Sequence, residues 1–155
     1  MKRILIYILI MAAVLLVPLE RTDVADLHPV QTVALYKTPE GYRIETDTED
    51  AGSGKTVDSA YADLIETTPG IIYLDTADYF LVSESALPGM EDIDKYLKNG
   101  VKVCAVVGEG DLKVVSKFLS VQRGLMPFSR AKSGENLPVL DCRGERIKFL
   151  EKNVK

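Results

Sequence analysis

The sequence predicts a mixed α/β domain, α+β-like in its element order and preceded by a hydrophobic N-terminal helix. Three observations carry that expectation. Short runs rich in β-branched and aromatic residues recur between Pro and Gly turns, as strands do. Segments between those runs place apolar residues at helical spacing, two of them behind a capping residue. The 155 residues, 46% apolar and 27% charged, have the size and composition of one ordinary globular core behind a leader.

In chain order, Met1, Lys2 and Arg3 precede an unbroken apolar run from Ile4 to Leu19, the arrangement of an export signal. At about 1.5 Å per residue the run makes a helix of roughly 24 Å. That reaches across a roughly 30 Å hydrocarbon core with flanking side chains and local thinning. It has no polar face, so it does not read as a core helix. No small-x-small cleavage triplet follows; Asp23-Val24-Ala25, the nearest approach, puts a charge where a small residue is wanted. Residues 1–19 are therefore expected to remain as a single-pass membrane anchor, with secretion after cleavage as the alternative. Lys2 and Arg3 hold the N-terminus in the cytoplasm, which puts the chain from Glu20 onward outside it.

Residues 20–29 are polar and read as a tether, residues 30–155 as a single domain. Val30 to Lys37 and Tyr42 to Asp47 are the first two strands, joined through Thr38-Pro39-Glu40-Gly41 as an antiparallel hairpin. Thr48 to Gly54 reads as an acidic, glycine-containing loop. A helix from Thr56 to Thr67 carries Val57, Ala60, Tyr61 and Leu64 on one face, and Pro69-Gly70 ends it. Ile71 to Leu74 and Tyr79 to Val82 are two strands, or one strand interrupted at Asp75-Thr76-Ala77-Asp78. A second helix is expected over Met90 to Lys98, stopped by Asn99-Gly100. Val101 to Val107 is apolar enough for a strand buried on both faces, and Asp111 caps a third helix carrying Leu112, Val115 and Leu119. Gln122 to Leu137 lacks periodicity and reads as a loop; Pro138 to Asp141 and Arg146 to Leu150 read as a closing hairpin. The expected product is a mixed sheet with an N-terminal β-hairpin and helices packed on it.

Composition excludes some chemistry at the outset. A net charge of −4, with 19 basic and 23 acidic residues interspersed, offers no cationic face to nucleic acid. Gly52-Ser53-Gly54-Lys55-Thr56 has the ending of a phosphate loop, but Glu49 stands where the first glycine belongs, and Glu45, Asp47 and Asp50 crowd the place with further carboxylates. No nucleotide is expected there, and the segment reads as a flexible loop leading into a helix cap. The same carboxylates lack the spacing of a calcium loop; no metal or other cofactor is expected. His28 is the only histidine and falls in the tether, which leaves a serine or cysteine hydrolase without its base. Cys104 and Cys142 are too few for a disulfide framework and lack a CxxC spacing. Export permits them to pair, while Cys104, inside an apolar strand, reads as a buried thiol.

Asp75 and Asp78 flank the strand interruption, where paired carboxylates could do acid–base work if buried together; bonding to nearby backbone at a strand end is their commoner use. Tyr73, Tyr79 and Phe80 could line a partner or ligand groove beside them, with core packing as the ordinary alternative. Tyr73, Asp75, Asp78 and Tyr79 form the candidate partner or ligand surface, and no residue is assigned a catalytic role. Arg123, Arg130, Lys132, Arg143 and Arg146 either meet lipid headgroups or belong to an ordinary soluble surface.

One succession of features resembles a known family, the N-terminal domain of the Ger(x)C lipoproteins, the C subunits of bacterial spore germinant receptors. Val33-Ala34-Leu35 and Gly41-Tyr42-Arg43-Ile44 are similar to its opening strands, and Gly52 to Val57 with Ser59-Ala60 resembles its loop-to-helix element. Ile71 to Leu74 and Tyr79-Phe80-Leu81-Val82-Ser83-Glu84-Ser85-Ala86 resemble its strands ending in an acidic-alanine segment, and Ile93, Tyr96-Leu97 and Val101 to Val107 continue the order. The resemblance covers roughly residues 30–120. It implies a non-enzymatic, membrane-anchored component of an extracytoplasmic protein complex, serving spore germination or sporulation. Family members carry a lipid-modified cysteine after the signal and continue into further domains. No cysteine stands near Leu19 here, so the hydrophobic segment itself is expected to anchor the chain. The alternative is an extracytoplasmic small-ligand binder or hydrolase using Asp75 and Asp78.

Overall fold

Alternation along the first hairpin sets the two faces of the fold. The computed structural model describes residues 27–144 and 146–154; the hydrophobic segment 1–19 and residues 20–26 of the expected tether lie outside the described residues. Strands β2 (Thr32–Thr38) and β3 (Gly41–Thr46) pair antiparallel, with Leu35 opposite Ile44 and Tyr36 opposite Arg43. Successive side chains point to opposite faces, so Val33, Leu35 and Ile44 join one buried cluster while Ala34 and Tyr36 join another. Arg43 and Glu45 share the second face of β3, where a 2.6 Å ion pair takes the place of an apolar contact.

The remainder of the sheet grows from both edges of this hairpin. On the β3 side lies β4 (Ala51–Gly54), in the segment expected to be a flexible loop. Only the turn from Asp47 to Asp50 is irregular. Gly52 and Gly54 are there for close approach: a Cβ on Gly52 would lie 2.3 Å from both the Ala60 carbonyl oxygen and the Leu64 nitrogen of α1 (Val57–Thr67). The glycines let the helix backbone rest on the strand. Thr56 caps α1, and its hydroxyl and that of Ser59 reciprocate as a capping box.

On the β2 side follow β6 (Tyr79–Ser83), β7 (Lys102–Val107) and β9 (Leu137–Asp141), each parallel to its neighbour, and then β10 (Lys148–Val154), antiparallel to β9. The closing hairpin is thus present. β8 (Met126–Pro127) pairs with the start of β7 and leads into α4 (Phe128–Lys132). Both fall in the stretch expected to be a loop; five residues are too few to show a helical period, and only Phe128 and Ala131 are buried. The expected helix over Met90 to Lys98 is one α turn, α2 (Met90–Ile93), between 3₁₀ segments Glu84–Gly89 and Asp94–Tyr96. Pro88 cannot donate to an α ladder, and Leu97 turns extended after its N–H bonds the Asp94 carbonyl.

Helices cover both faces. Over the first lie α1, the residues around α2, and α4; Phe80 is fully buried there, edge-to-face with Phe128 at 5.6 Å between ring centroids. Over the second lies α3 (Leu112–Ser120), capped by Asp111 as expected, with Leu112, Val115 and Leu119 on Leu81, Cys104, Val106 and Leu140. Among the described residues no helix is long and apolar enough to cross a membrane. Cys104 and Cys142 are both free and buried. Val107 stands opposite Asp141, so Cys142 lies four residues further along the ladder than Cys104, about 13 Å. That is about twice the Cα separation a disulfide tolerates.

Candidate functional site

The interruption before β6 holds the candidate residues, and register explains its shape. β1 (Leu27–Pro29) runs parallel to β5 (Ile71–Tyr73), with Leu27 opposite Ile71, an offset of 44. β2 and β6 pair with Thr32 opposite Tyr79, an offset of 47. The difference, 47 − 44 = 3, is the length of the 3₁₀ turn Leu74–Thr76. One parallel ladder is therefore interrupted where three residues loop out of one strand. The Thr76 hydroxyl spans the gap: it accepts from the Val30 N–H at 3.1 Å and lies 3.0 Å from the Val30 carbonyl and 2.7 Å from that of Tyr73. The Gln31 carbonyl resumes the ladder by accepting from Asp78 and Tyr79. The segment expected to be tether through Pro29 thus ends in a paired strand, and His28 approaches Asp50 at 3.6 Å.

The loop-out distributes the four candidates among different surroundings. Ile72 points into the first core cluster, so alternation leaves Ile71 and Tyr73 outside, 40% and 41% exposed, with exposed Pro29 opposite Tyr73. Asp75 is exposed on the turn, and its charge helps hold the Tyr61 phenol above its ordinary value, after the larger effect of burial. Asp78 is exposed and pairs with Lys98 at 2.6 Å; the same ammonium donates to the Thr76 carbonyl. Asp75 has no ion-pair or hydrogen-bond partner among the described residues, and the two carboxylates share none. Tyr79 begins β6 and is buried in the second cluster, Lys102 standing 5.7 Å from its ring. Burial is the main cause of its raised phenol pKa.

Periodicity put Tyr61 on the apolar face of α1 but did not show the polar group it joins at the rim of the first core cluster. Tyr61 and Tyr96 stack at 3.8 Å between centroids, and the Tyr96 hydroxyl donates to Asp58 at 3.0 Å. Lys95 lies 2.6 Å from the same carboxylate and lowers its pKa, while Asp58 raises that of Lys95. The signal is faint in sequence because these residues lie on two elements about 35 positions apart.

Elsewhere the polar groups hold one another. A cleft of about 280 Å³ lies between the second face of β3 and the start of α3. Arg43 pairs there with Glu45, Lys113 with Glu49, and Asp47 accepts from the Gln31 and Thr32 N–H groups. Among the described residues no three His, Cys, Asp or Glu side chains gather as a metal site. Tyr36 is buried with no hydrogen-bond partner for its hydroxyl, and burial drives its phenol pKa far up. Burial likewise pushes Cys104 up to about 12 and Cys142 up to about 11, so neither is a ready thiolate. Lys55 is exposed beyond β4, the edge strand of the sheet. Parallel strands β2, β6, β7 and β9 stand side by side in chain order, the chain having first run from β2 out to β4 and returned to β6 on β2's other side.

The chain matches no family model, and no curated protein or solved structure matches it.

Proposed function

We propose that this chain is a non-enzymatic protein-interaction module, anchored by residues 1–19 in a membrane and presenting its α/β domain outside the cytoplasm. By its resemblance to the germinant-receptor C-subunit domain, the complex it serves is one of spore germination or sporulation. The observation that carries the proposal is the Tyr61–Tyr96 stack with its Asp58–Lys95 pair. Partly buried aromatic rings packed at the rim of the core beside a charged pair resemble the anchors of protein interfaces, where Tyr is enriched for its apolar body and polar tip. The test is purification of the full chain from detergent-solubilised membranes of its host, beside the Tyr61→Ala/Tyr96→Ala double variant. A partner protein is expected with the parent chain and not with the variant, both giving the same circular dichroism. Recovery of the parent chain alone, or unchanged sporulation and germination after deletion of the gene, counts against the proposal.

A further inference from the structure

Among the described residues, most of the large exposed apolar side chains gather at one end of the domain. Ile71 and Tyr73 lie on the outer face of β5, beside the point where β1 brings in the chain. Ile65, 46% exposed, sits near the end of α1, which runs back along β4: the Thr67 hydroxyl reaches the Ala51 carbonyl at the strand's start. Val121, 74% exposed, follows α3 and precedes Met126, which pairs with Val103 at the start of β7. Among the described residues, four of the five exposed large hydrophobics thus mark the N-terminal ends of the parallel strands; Val114, on α3, is the fifth.

The chain leading to this end is short. From Leu19, the last residue of the apolar run, to Leu27, the first of β1, there are eight Cα steps, at most roughly 29 Å when fully extended. A domain of this size has a radius of gyration of about 14 Å and is roughly 35 Å across. The leash is shorter than the body it holds, so an anchored domain keeps this end toward the bilayer. We infer that the end bearing Pro29, Ile71 and Tyr73 rests on the lipid surface, the apolar tips entering the headgroup region and the Tyr73 hydroxyl remaining at its polar boundary. The inference rests on the anchor in the proposed function. Charges at this end are mixed in sign: Asp78 pairs with Lys98 and Glu49 with Lys113, while Asp75 beside Tyr73 and Lys102 at the start of β7, one of each sign, are exposed without an ion-pair partner among the described residues, so anionic lipid adds little to the contact. Of the arginines and lysines expected at headgroups, Arg130 and Lys132 lie on α4 beside this end, each held by a carboxylate, Glu135 and Asp94, while Arg143 pairs with Asp141 at the opposite end of β9.

The chain contains no tryptophan, so Tyr73→Trp places a single indole on the outer face of β5. Glu40→Trp places one in the hairpin turn, beyond Thr38 at the end of β2, whereas Tyr73 is level with Pro29; the two sites are roughly 30 Å apart along the strand direction. Each full-length variant is reconstituted at low protein-to-lipid ratio into phosphatidylcholine vesicles, with and without lipids brominated high on the acyl chain. The expected result is co-flotation of both variants, with blue-shifted emission and at least a twofold bromine quenching at position 73 only, unchanged when a third of the lipid is anionic. Flotation with equal, unquenched emission at both positions overturns the docking and leaves the anchor standing. A blue shift at position 73 without quenching means that a protein surface, such as a second copy, covers the strand, and overturns it as well. Failure of either variant to float removes the anchor and the docking together.

Discussion

Along β2 and β6, Val33, Leu35, Phe80 and Val82 lie under helices on one face, and Ala34 and Leu81 under α3 on the other. In β1 and β5, the same parallel ladder continued toward the N-terminus, only Ile72 among the described side chains joins the core while Ile71 and Tyr73 stay outside. Backbone pairing is equivalent in the two lengths, so ladder hydrogen bonds do not decide what is buried. Cover does: a strand face is apolar and hidden where a helix lies on it, and an apolar residue on an uncovered face is left for another surface.

The inner length should be the least forgiving. Phe80→Ala removes the ring that meets Phe128 and is expected to cost about 3–5 kcal/mol, read as a lower urea midpoint by circular dichroism. Gly52→Ala asks α1 to rise off β4, since the added methyl would meet backbone atoms at 2.3 Å. A loss of about 1–3 kcal/mol is expected in the same assay. At the join between the two lengths, Thr76→Val leaves the Val30 N–H without its acceptor. It should cost about 1–3 kcal/mol, and amide exchange should quicken at Val30.

An ion pair at the far end of the sheet supplies a pH-dependent reference. The Arg143 guanidinium and backbone N–H bond the Asp141 carboxylate and lower its pKa from about 3.8 to about 2. A carboxyl depressed in the folded state stabilises above its unfolded value, and that stabilisation is lost as pH falls through about 3.8 toward about 2. Between pH 5 and pH 2 the urea midpoint should therefore fall more steeply in the parent than in Asp141→Asn. The outer length should show the smallest effect: Ile71→Ser with Tyr73→Ser is expected to shift stability by no more than about 0.5 kcal/mol. A larger loss by urea titration would mean that these side chains are core residues and the two lengths are not different after all.

The elements legible in the sequence were those whose side chains report their surroundings. Val33 to Tyr36 and Val103 to Val106 show strand composition, and Thr56 and Asp111 mark helix starts through their own hydroxyl and carboxylate. β4 was not legible because Gly52 and Gly54 carry no side chain with which to display a period, and β1 because three residues are too short to alternate. The candidate surface was legible in part. Tyr73 and Asp75 do lie on an exposed edge, but Tyr79, six residues beyond Tyr73, is core, because the three-residue loop-out carries the chain into a length of ladder covered on both faces.

Sequence by itself determined the alternation that sorts Leu35 from Tyr36, the caps that start α1 and α3, and the mixed α/β class, since each depends on neighbours within a few residues. Only the tertiary structure decided that β1 prolongs β2, that Asp78 pairs with Lys98 while Asp75 stands exposed, and that Ile65, Ile71, Tyr73 and Val121 share one end. Those outcomes depend on strand register and helix cover, which join residues tens of positions apart and leave no period in the chain.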